Sequence, residues 1–357
     1  MNPLLQVRPL GQRIWLDNLS RELLAGPLQQ LIAEDGLAGL TSNPAIFQKS
    51  ISSGAGYGAD LARLKTLPLS TEQRFEALAV PDVQAACDLF APAYRESAGL
   101  DGYVSLEVSP YLARDTAGTL AAAQRLWNDI GRPNAMIKIP ATAESLPAFS
   151  AAIAAGINVN VTLMFGQRHC DAVFDAYVGG LRQRLAAGGD LRAVRSVASL
   201  FLSRVDVWVD GKLDTMGGEA SALKGKAAIA VARQAYARWM DRWNGPECAD
   251  LRAAGANIQR LLWASTGTKN PAYSAVMYVD ELIGAETVNT LPDATLAAFR
   301  SEGSAKPRLL EGLADAQSAL ARLAALGISL DGAAEQLQVD GLKLFDDAFD
   351  KLLTLLA

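Results

Sequence analysis

Short apolar runs rich in Val, Ile and Leu recur along this chain, separated by longer segments whose apolar residues have helical spacing. Parallel strands give such runs, because helices cover both faces of a parallel sheet and leave no polar side. Eight runs are present, at residues 13–18, 36–43, 102–108, 135–140, 157–165, 194–201, 260–266 and 286–292. Eight successive strand–helix units predict a sheet that closes on itself, so the expected fold is an α/β, (β/α)8 TIM barrel.

The segments between the runs have the features of the outer helices of a barrel. The first begins at Ser20, a suitable N-cap, repeats leucines every three to four positions and stops at Gly36. Two stretches exceed what one barrel helix needs, a helical insertion at about 206–255 and C-terminal helices at about 306–357. Because no repeat or low-complexity linker separates these parts, we expect residues 1–357 to form a single barrel domain with two additions.

Three charged residues lie on strands that should be buried. Alternate side chains of a barrel strand point to the axis, and in AMIKIP Lys138 alternates with two isoleucines. Glu107 alternates with valine and leucine in the same way, and Asp17 lies near the end of the first run. A buried charge costs several kcal/mol unless it is paired, so each residue alone is readily explained as a strand end or a structural ion pair. Together, at the carboxyl ends of one barrel, Asp17, Glu107 and Lys138 predict an active site.

The residue types at this predicted site suit Schiff-base chemistry. Burial disfavours the charged form of an amine and makes it a better nucleophile, so Lys138 is predicted to attack a ketone. Each later step moves a proton, and Asp17 and Glu107 are the predicted acids and bases. Three polar residues on the inward faces or at the strand ends are predicted to hold a catalytic water or bind substrate hydroxyls, namely Thr162, Asn43 and Asn160.

A phosphate site is predicted beside this centre. Arg204 follows the sixth run and could bind a phosphate through two hydrogen bonds. Surface arginines are common, so this residue alone carries little weight. Ser265, Thr266 and Lys269 follow the seventh run, where barrels often bind phosphate with backbone amides and small hydroxylated residues. The two loops together favour a phosphorylated substrate.

Composition excludes several other classes of function. Lys and Arg number 33 against 38 Asp and Glu with no basic stripe, so we expect no nucleic-acid partner, and no apolar run is long enough to suggest a membrane span. His169 is the only histidine and the three cysteines are widely spaced, so we predict no metal site and no cofactor. We expect a cytoplasmic protein with reduced thiols, and the sequence is compatible with a monomer or a homodimer.

Six short strings occur in an order that is specific in combination: DN, TSNP, VSLEV, IKIP, GINVNVTL and SLFLSR. Between about residue 13 and about residue 292, the chain resembles the transaldolase family of the class I Schiff-base aldolase superfamily. The string WASTGTKNP resembles the longer, bacterial type of that family. The resemblance implies transfer of a dihydroxyacetone unit in the non-oxidative pentose phosphate pathway, from sedoheptulose 7-phosphate or fructose 6-phosphate to glyceraldehyde 3-phosphate or erythrose 4-phosphate.

The resemblance also implies a role for each candidate residue. Lys138 would be the Schiff-base lysine and Asp17 the acid/base at C–C cleavage, while Glu107 and Thr162 would hold the catalytic water. Asn43 and Asn160 would contact the dihydroxyacetone unit, and Ser199 and Phe201 would line the pocket. Arg204 and Ser265 would bind the phosphate. Shorter bacterial members have an arginine soon after the serine that corresponds to Ser265, whereas this chain has Lys269 in a longer loop, so the resemblance does not extend to Lys269.

Three alternative functions compete with this interpretation. A fructose 6-phosphate aldolase of the same superfamily would use the same lysine and release free dihydroxyacetone, but such aldolases typically have Gln and Tyr in place of Glu107 and Phe201. A metal-dependent aldolase would need several imidazoles, and this chain has only His169. A barrel that binds sugar phosphates without catalysis would have little reason to keep Asp17, Glu107 and Lys138.

Overall fold

The structure, a computed structural model, describes residues 2–357, and its centre is a closed barrel of eight parallel strands. Each strand pairs with the next, and β8 pairs with β1 to close the sheet. The strands are β1 (Gln12–Asp17), β2 (Gly39–Thr41), β3 (Tyr103–Glu107), β4 (Ala135–Pro140), β5 (Val159–Met164), β6 (Ser196–Phe201), β7 (Arg260–Ala264) and β8 (Thr287–Leu291). The predicted (β/α)8 barrel is confirmed.

The helices surround this sheet. They are α1 (Pro3–Val7), α2 (Arg21–Leu24), α3 (Pro27–Asp35), α4 (Pro44–Ser52), α5 (Gly58–Lys65), α6 (Thr71–Glu96), α7 (Thr116–Ile130), α8 (Leu146–Ala154), α9 (Gln167–Ala186), α10 (Ser203–Met216), α11 (Ala227–Asn244), α12 (Ala249–Ala253), α13 (Met277–Asp280), α14 (Asp293–Glu302), α15 (Leu313–Ala325) and α16 (Leu330–Leu356). Among residues 2–357, none of these helices combines the length and apolar composition that crossing a bilayer requires.

The two predicted additions are helical. The insertion predicted at about 206–255 contains α10, α11 and α12, and α10 begins at Ser203, three residues before the predicted bound. The C-terminal region predicted at about 306–357 contains α15 and α16. Helix α11 packs against α9 and α15 on the outside of the barrel, whereas α10 also contacts α16 near the carboxyl ends of the strands. Helix α10 therefore belongs to the surroundings of the predicted site.

The second strand is shorter than predicted. The run 36–43 contains only the three-residue strand β2, because Gly36 adopts a left-handed conformation (φ 66°) that ends α3. At the other end of the run, Asn43 is the N-cap of α4, since its side-chain oxygen accepts a hydrogen bond from the Ile46 amide. Polar residues that follow β2 are thereby held at the carboxyl end of the barrel.

Large side chains and ion pairs lie at the amino end of the barrel. Gly39 leaves room for Trp15, whose ring would lie 2.7 Å from a Cβ at that position. Asp101 is 1% exposed and accepts hydrogen bonds from Arg8 (2.7 Å) and Arg13 (2.6 Å). Arg260 and Glu286 form a further ion pair at the same end, with a distance of 3.0 Å. The carboxylates of Asp101 and Glu286 are thus paired with arginines of the same end.

Helix α16 lies across the carboxyl end of the barrel. Its residue Gln338 donates hydrogen bonds of 3.0 Å to the carbonyl oxygens of Ala141 and Leu163, which follow β4 and lie in β5. Gly341 permits the close approach, because a Cβ there would come within 3.0 Å of Leu163. The last helix of the chain is thus attached directly to the ends of the central strands.

Candidate active site

Lys138 and Glu107 form a buried ion pair at the carboxyl end of the barrel. They are direct neighbours in the register of β3 and β4, and only 4% and 8% of their surfaces are exposed. The Lys138 Nζ forms an ion pair with the Glu107 Oε2 at 3.2 Å and donates a hydrogen bond of 3.2 Å to the Ser42 carbonyl. The amine is therefore oriented by two oxygens while it faces the cleft described below.

Asp17 lies beside this pair at the end of β1. Its carboxylate accepts a hydrogen bond of 2.7 Å from the Thr41 hydroxyl, which in turn lies 2.8 Å from the Thr290 hydroxyl. Burial raises the pKa of both Asp17 and Glu107 above the usual carboxyl values, and the positive charge of Lys138 opposes that rise. Two carboxyl groups with raised pKa values beside an amine are suited to exchanging protons with a bound substrate.

Asn160 belongs to a polar network below the cleft. Its amide nitrogen donates to the Ser105 hydroxyl (3.1 Å) and its amide oxygen accepts from the Ser199 hydroxyl (2.7 Å). The residue is fully buried and is absent from the cleft wall. This network connects β3, β5 and β6 and holds the strand ends that carry Glu107, Thr162 and Phe201.

Thr162 follows on β5, where the strand becomes irregular. The Leu163 backbone is left-handed (φ 61°), and the register with β6 shifts between Val161 and Met164. This bulge follows directly after Thr162 and interrupts the alternation that the sequence predicts for the strand. The Thr162 hydroxyl is fully buried and has no hydrogen-bond partner among residues 2–357, an arrangement that suits a bridging water.

A cleft of about 620 Å³ opens above these residues. Eight of the ten predicted site residues lie in its wall, namely Asp17, Asn43, Lys138, Thr162, Ser199, Phe201, Arg204 and Ser265. Asn160 lies below the wall, and Glu107 lines a neighbouring cavity of about 410 Å³ between β3, α4 and α6. The strand ends therefore bring the predicted residues together around one opening.

Arg204 is an uncompensated cation at one side of the cleft. Its guanidinium lies 5.4 Å from the centre of the Phe201 ring, and it forms no ion pair with any residue in the range 2–357. Burial lowers the pKa of Arg204. The Ser265 hydroxyl approaches within 2.8 Å of the Ser203 hydroxyl, next to Arg204, and Lys269 also lines the cleft. A cation without a carboxylate partner, beside two hydroxyls, is suited to an anion.

Some residues of the cleft were not predicted from the sequence. Phe345 of α16 lines it, and the Lys138 Nζ lies 5.7 Å from the centre of the Phe345 ring. Thr41 and Thr290, which hydrogen-bond near Asp17, also line it. The two threonines lie at inward positions of β2 and β8 and could have been found from the alternation of side chains along a strand. Nothing in the sequence places α16 above the barrel.

The single histidine and the three cysteines lie outside the cleft. The His169 Nδ1 accepts a hydrogen bond of 3.2 Å from the Phe165 amide, and burial lowers the pKa of the imidazole. Cys87, Cys170 and Cys248 are free and buried, and burial raises the pKa of each thiol. Within the described part of the chain, no three His, Cys, Asp or Glu side chains are grouped in a way that could hold a metal ion.

Known proteins match this chain over nearly its whole length. The sequence profile of the family described as transaldolase/fructose-6-phosphate aldolase matches residues 14–356. A transaldolase of Thiobacillus denitrificans is 51% identical, with 99% of each chain covered. A transaldolase of Neisseria meningitidis is 50% identical, again with 99% of each chain covered, and transaldolase 2 of a Nostoc species is 43% identical, with 99% of this chain and 96% of the relative covered. The protein described here belongs to the transaldolase/fructose-6-phosphate aldolase family.

Proposed function

We propose that this protein is an enzyme that transfers a three-carbon dihydroxyacetone unit between sugar phosphates through a Schiff base on Lys138. The donors are sedoheptulose 7-phosphate or fructose 6-phosphate, and the acceptors are glyceraldehyde 3-phosphate or erythrose 4-phosphate. The observation that carries the proposal is the buried Lys138 amine, 3.2 Å from the Glu107 carboxylate, in the wall of a cleft that also exposes Asp17 and Arg204. Relatives that carry the name transaldolase support the same reaction.

In this mechanism the Lys138 amine attacks the ketone carbon C2 of the donor and forms a carbinolamine, which loses water to give a protonated imine. Asp17 then takes the proton of the C4 hydroxyl. The C3–C4 bond breaks, its electron pair moves into the imine to form an enamine, and the aldose product leaves. The acceptor aldehyde reacts with the enamine in the reverse sense, and Asp17 returns the proton to the new hydroxyl.

Glu107 and Thr162 have complementary tasks in the steps that involve water. The carboxylate and the unpaired Thr162 hydroxyl hold one water molecule between them, and Glu107 transfers the protons when the carbinolamine dehydrates and when the final imine is hydrolysed. The raised pKa of Glu107 supports this role, because a carboxyl group with a pKa nearer to the working pH exchanges protons more readily.

The remaining residues bind the two ends of the substrate. The Asn43 side-chain oxygen is used by the cap of α4, so its NH₂ group donates to a hydroxyl of the dihydroxyacetone unit. Asn160 and Ser199 complete the polar floor beneath that unit, and Phe201 forms an apolar side wall. At the outer end, Arg204 and Ser265 bind the phosphate, and Lys269 adds a second cation in the same wall.

Reduction with borohydride tests the covalent step. Incubation with fructose 6-phosphate and borohydride should add a reduced three-carbon fragment to Lys138, located by mass spectrometry of peptides. Lys269→Ala is the matched control and should still form the adduct, whereas Lys138→Ala should form none. An active preparation without an adduct on Lys138 would refute the mechanism and would also leave room for a barrel that binds sugar phosphates in another way.

A second assay separates transfer from simple aldol cleavage. With fructose 6-phosphate as donor, transfer to erythrose 4-phosphate should outpace release of free dihydroxyacetone. Glu107 and Phe201 favour transfer, since fructose 6-phosphate aldolases typically have Gln and Tyr at the corresponding positions. Release faster than transfer would identify the protein as an aldolase.

We further propose a cytoplasmic location, in keeping with three free and buried thiols.

A further inference from the structure

The loop between β7 and α13 carries part of the proposed phosphate site but has little support of its own. Residues 265–276 form neither helix nor strand, and Ser265, Gly267 and Lys269 of this loop line the cleft. Its start is fixed to the barrel, because the Ser203 amide donates to the Ser265 carbonyl (3.1 Å) and the Thr266 hydroxyl donates to the Thr290 carbonyl (3.0 Å). Its outer half projects toward solvent.

Tyr273 attaches that outer half to the insertion. The Tyr273 hydroxyl donates a hydrogen bond of 2.6 Å to the Asp210 Oδ2, and the other oxygen of Asp210 accepts from the Gly225 amide at 3.0 Å. Gly225 is left-handed (φ 70°), and a Cβ there would come within 2.9 Å of the Tyr273 ring. The ring therefore packs on a backbone that only glycine accommodates without strain.

A second pair of the same chemistry lies one turn away on α10. The Asp206 carboxylate accepts hydrogen bonds from the Tyr278 hydroxyl (2.7 Å) and the Ala228 amide (2.8 Å). Asp206 and Asp210 are 1% and 8% exposed, and neither forms an ion pair with any residue in the range 2–357. Burial raises the pKa of Asp206 to about 6. The two buried carboxylates differ in what their tyrosine partners hold, since Tyr278 belongs to helix α13 and Tyr273 to the loop of the phosphate site.

Helix α10 also holds the other side of the phosphate site. Arg204 lies at its amino end, and Ser203 contacts Ser265 through their hydroxyls. The helix thus touches the loop at two points, through Ser203 at the start and through Asp210 at Tyr273. Both walls of the site depend on the same helix.

We propose that Asp210 of the insertion is a positioning residue, which holds Tyr273 and thereby sets the loop 265–276 at the distance from Arg204 that a phosphate group requires. The inference rests on the proposed sugar-phosphate activity and deepens it, because it gives the insertion a role in recognising phosphorylated substrates. Tyr278 is the matched structural pair, since it belongs to α13, is 1% exposed and does not lie in the loop.

The test compares Tyr273→Phe with Tyr278→Phe. Tyr273→Phe should raise the KM for erythrose 4-phosphate by about tenfold, as expected for the loss of a hydrogen bond to a charged group, and change kcat less than twofold. The KM for the unphosphorylated acceptor D-glyceraldehyde should stay the same. Tyr278→Phe should lower the melting temperature and leave both KM values unchanged. KM does not depend on the folded fraction, so a destabilised variant still gives an interpretable result.

A double variant tests whether Tyr273 acts through Asp210. Tyr273→Phe combined with Asp210→Asn should have the same KM as the more affected single variant, because both changes remove one interaction. Unchanged KM in Tyr273→Phe, an equal rise in Tyr278→Phe or an equal rise for D-glyceraldehyde would each overturn the positioning role. The proposed function fails separately, if the unaltered protein shows no transfer to erythrose 4-phosphate.

Discussion

The two ends of the barrel differ in how their charged side chains are paired. At the amino end, Asp101 lies between Arg8 and Arg13, and its side chain is almost fully buried among donors that neutralise it. At the carboxyl end, Arg204 has no carboxylate partner among residues 2–357, and the Thr162 hydroxyl has no partner there either. The Asp101 carboxylate at one end is neutralised by two arginines, whereas the Arg204 guanidinium at the other is available to a ligand. The paired charges of the amino end are suited to stability, and the unpaired groups of the carboxyl end are suited to binding and chemistry.

The largest expected effect is at the carboxyl end. Lys138→Ala should lower kcat by several orders of magnitude, because the other lysine of the cleft, Lys269, does not lie beside Asp17 and Glu107 and cannot replace the covalent step. The circular dichroism spectrum should be unchanged, as the barrel does not depend on this amine for its core. Turnover is measured with fructose 6-phosphate and erythrose 4-phosphate, and Lys269→Ala serves as the control that keeps its kcat. Substantial turnover in Lys138→Ala would contradict the proposal that the carboxyl end of the barrel carries the Schiff-base lysine.

The next effect is at the amino end and should appear in stability alone. Asp101→Asn leaves Arg13, whose side chain is 15% exposed, without its carboxylate. The free energy of unfolding should fall by about 3 kcal/mol, as for other ion pairs broken on one side in a buried setting. Denaturant titration gives this quantity, and kcat and KM at a temperature where the variant is folded should match those of the unaltered protein. A large change in KM would contradict the assignment of this end to stability.

A smaller effect distinguishes two arginines. Arg204→Ala should raise the KM for phosphorylated acceptors roughly 30-fold, corresponding to about 2 kcal/mol of lost hydrogen bonding to a charged group. Arg260→Ala is the control at the opposite end, where Glu286 is its partner, and should lower stability with little change in KM. Initial rates over a range of acceptor concentrations measure both. Equal KM values in the two variants would show that the Arg204 guanidinium does not bind the phosphate of the acceptor.

The smallest effect is a dependence on pH. Asp17 and Glu107 have raised pKa values, and both are proposed to accept protons as carboxylates. As the pH falls through the raised values the carboxylates become protonated, so kcat/KM should fall by up to tenfold per pH unit from an apparent pKa above 4.5, the ordinary value for Glu. A profile that stays flat down to pH 4 in a folded protein would contradict the proposed roles.

The barrel could be predicted from the sequence because strands and helices are local patterns. Each of the eight runs became a strand, and the alternation of Lys138 with Ile137 and Ile139 correctly placed the amine inside. The order of the strands followed from the rule that successive βα units lie side by side. Strand ends were less accurate, as in β2, where a glycine and a helix cap shortened the run.

The details of the site depended on contacts that local patterns do not contain. Alternation placed Asn160 inside, but not its hydrogen bonds to Ser105 and Ser199, which use both ends of its amide. The bulge at Leu163 has no sequence signal, since a left-handed leucine is set by its surroundings and not by its own preference. Phe345 reaches the cleft from a helix whose amphipathic pattern predicts burial but not the partner.

Closure of the barrel by β8 on β1 also has a consequence for how the protein is made. Gln12 and Thr287 pair although they lie 275 positions apart, so the first strand leaves the ribosome long before its last neighbour has been translated. Helix α16, which supplies Phe345, is synthesised later still. A nascent chain therefore carries the Lys138 amine before the wall around it is complete, and the cleft can form only after α16 has been synthesised.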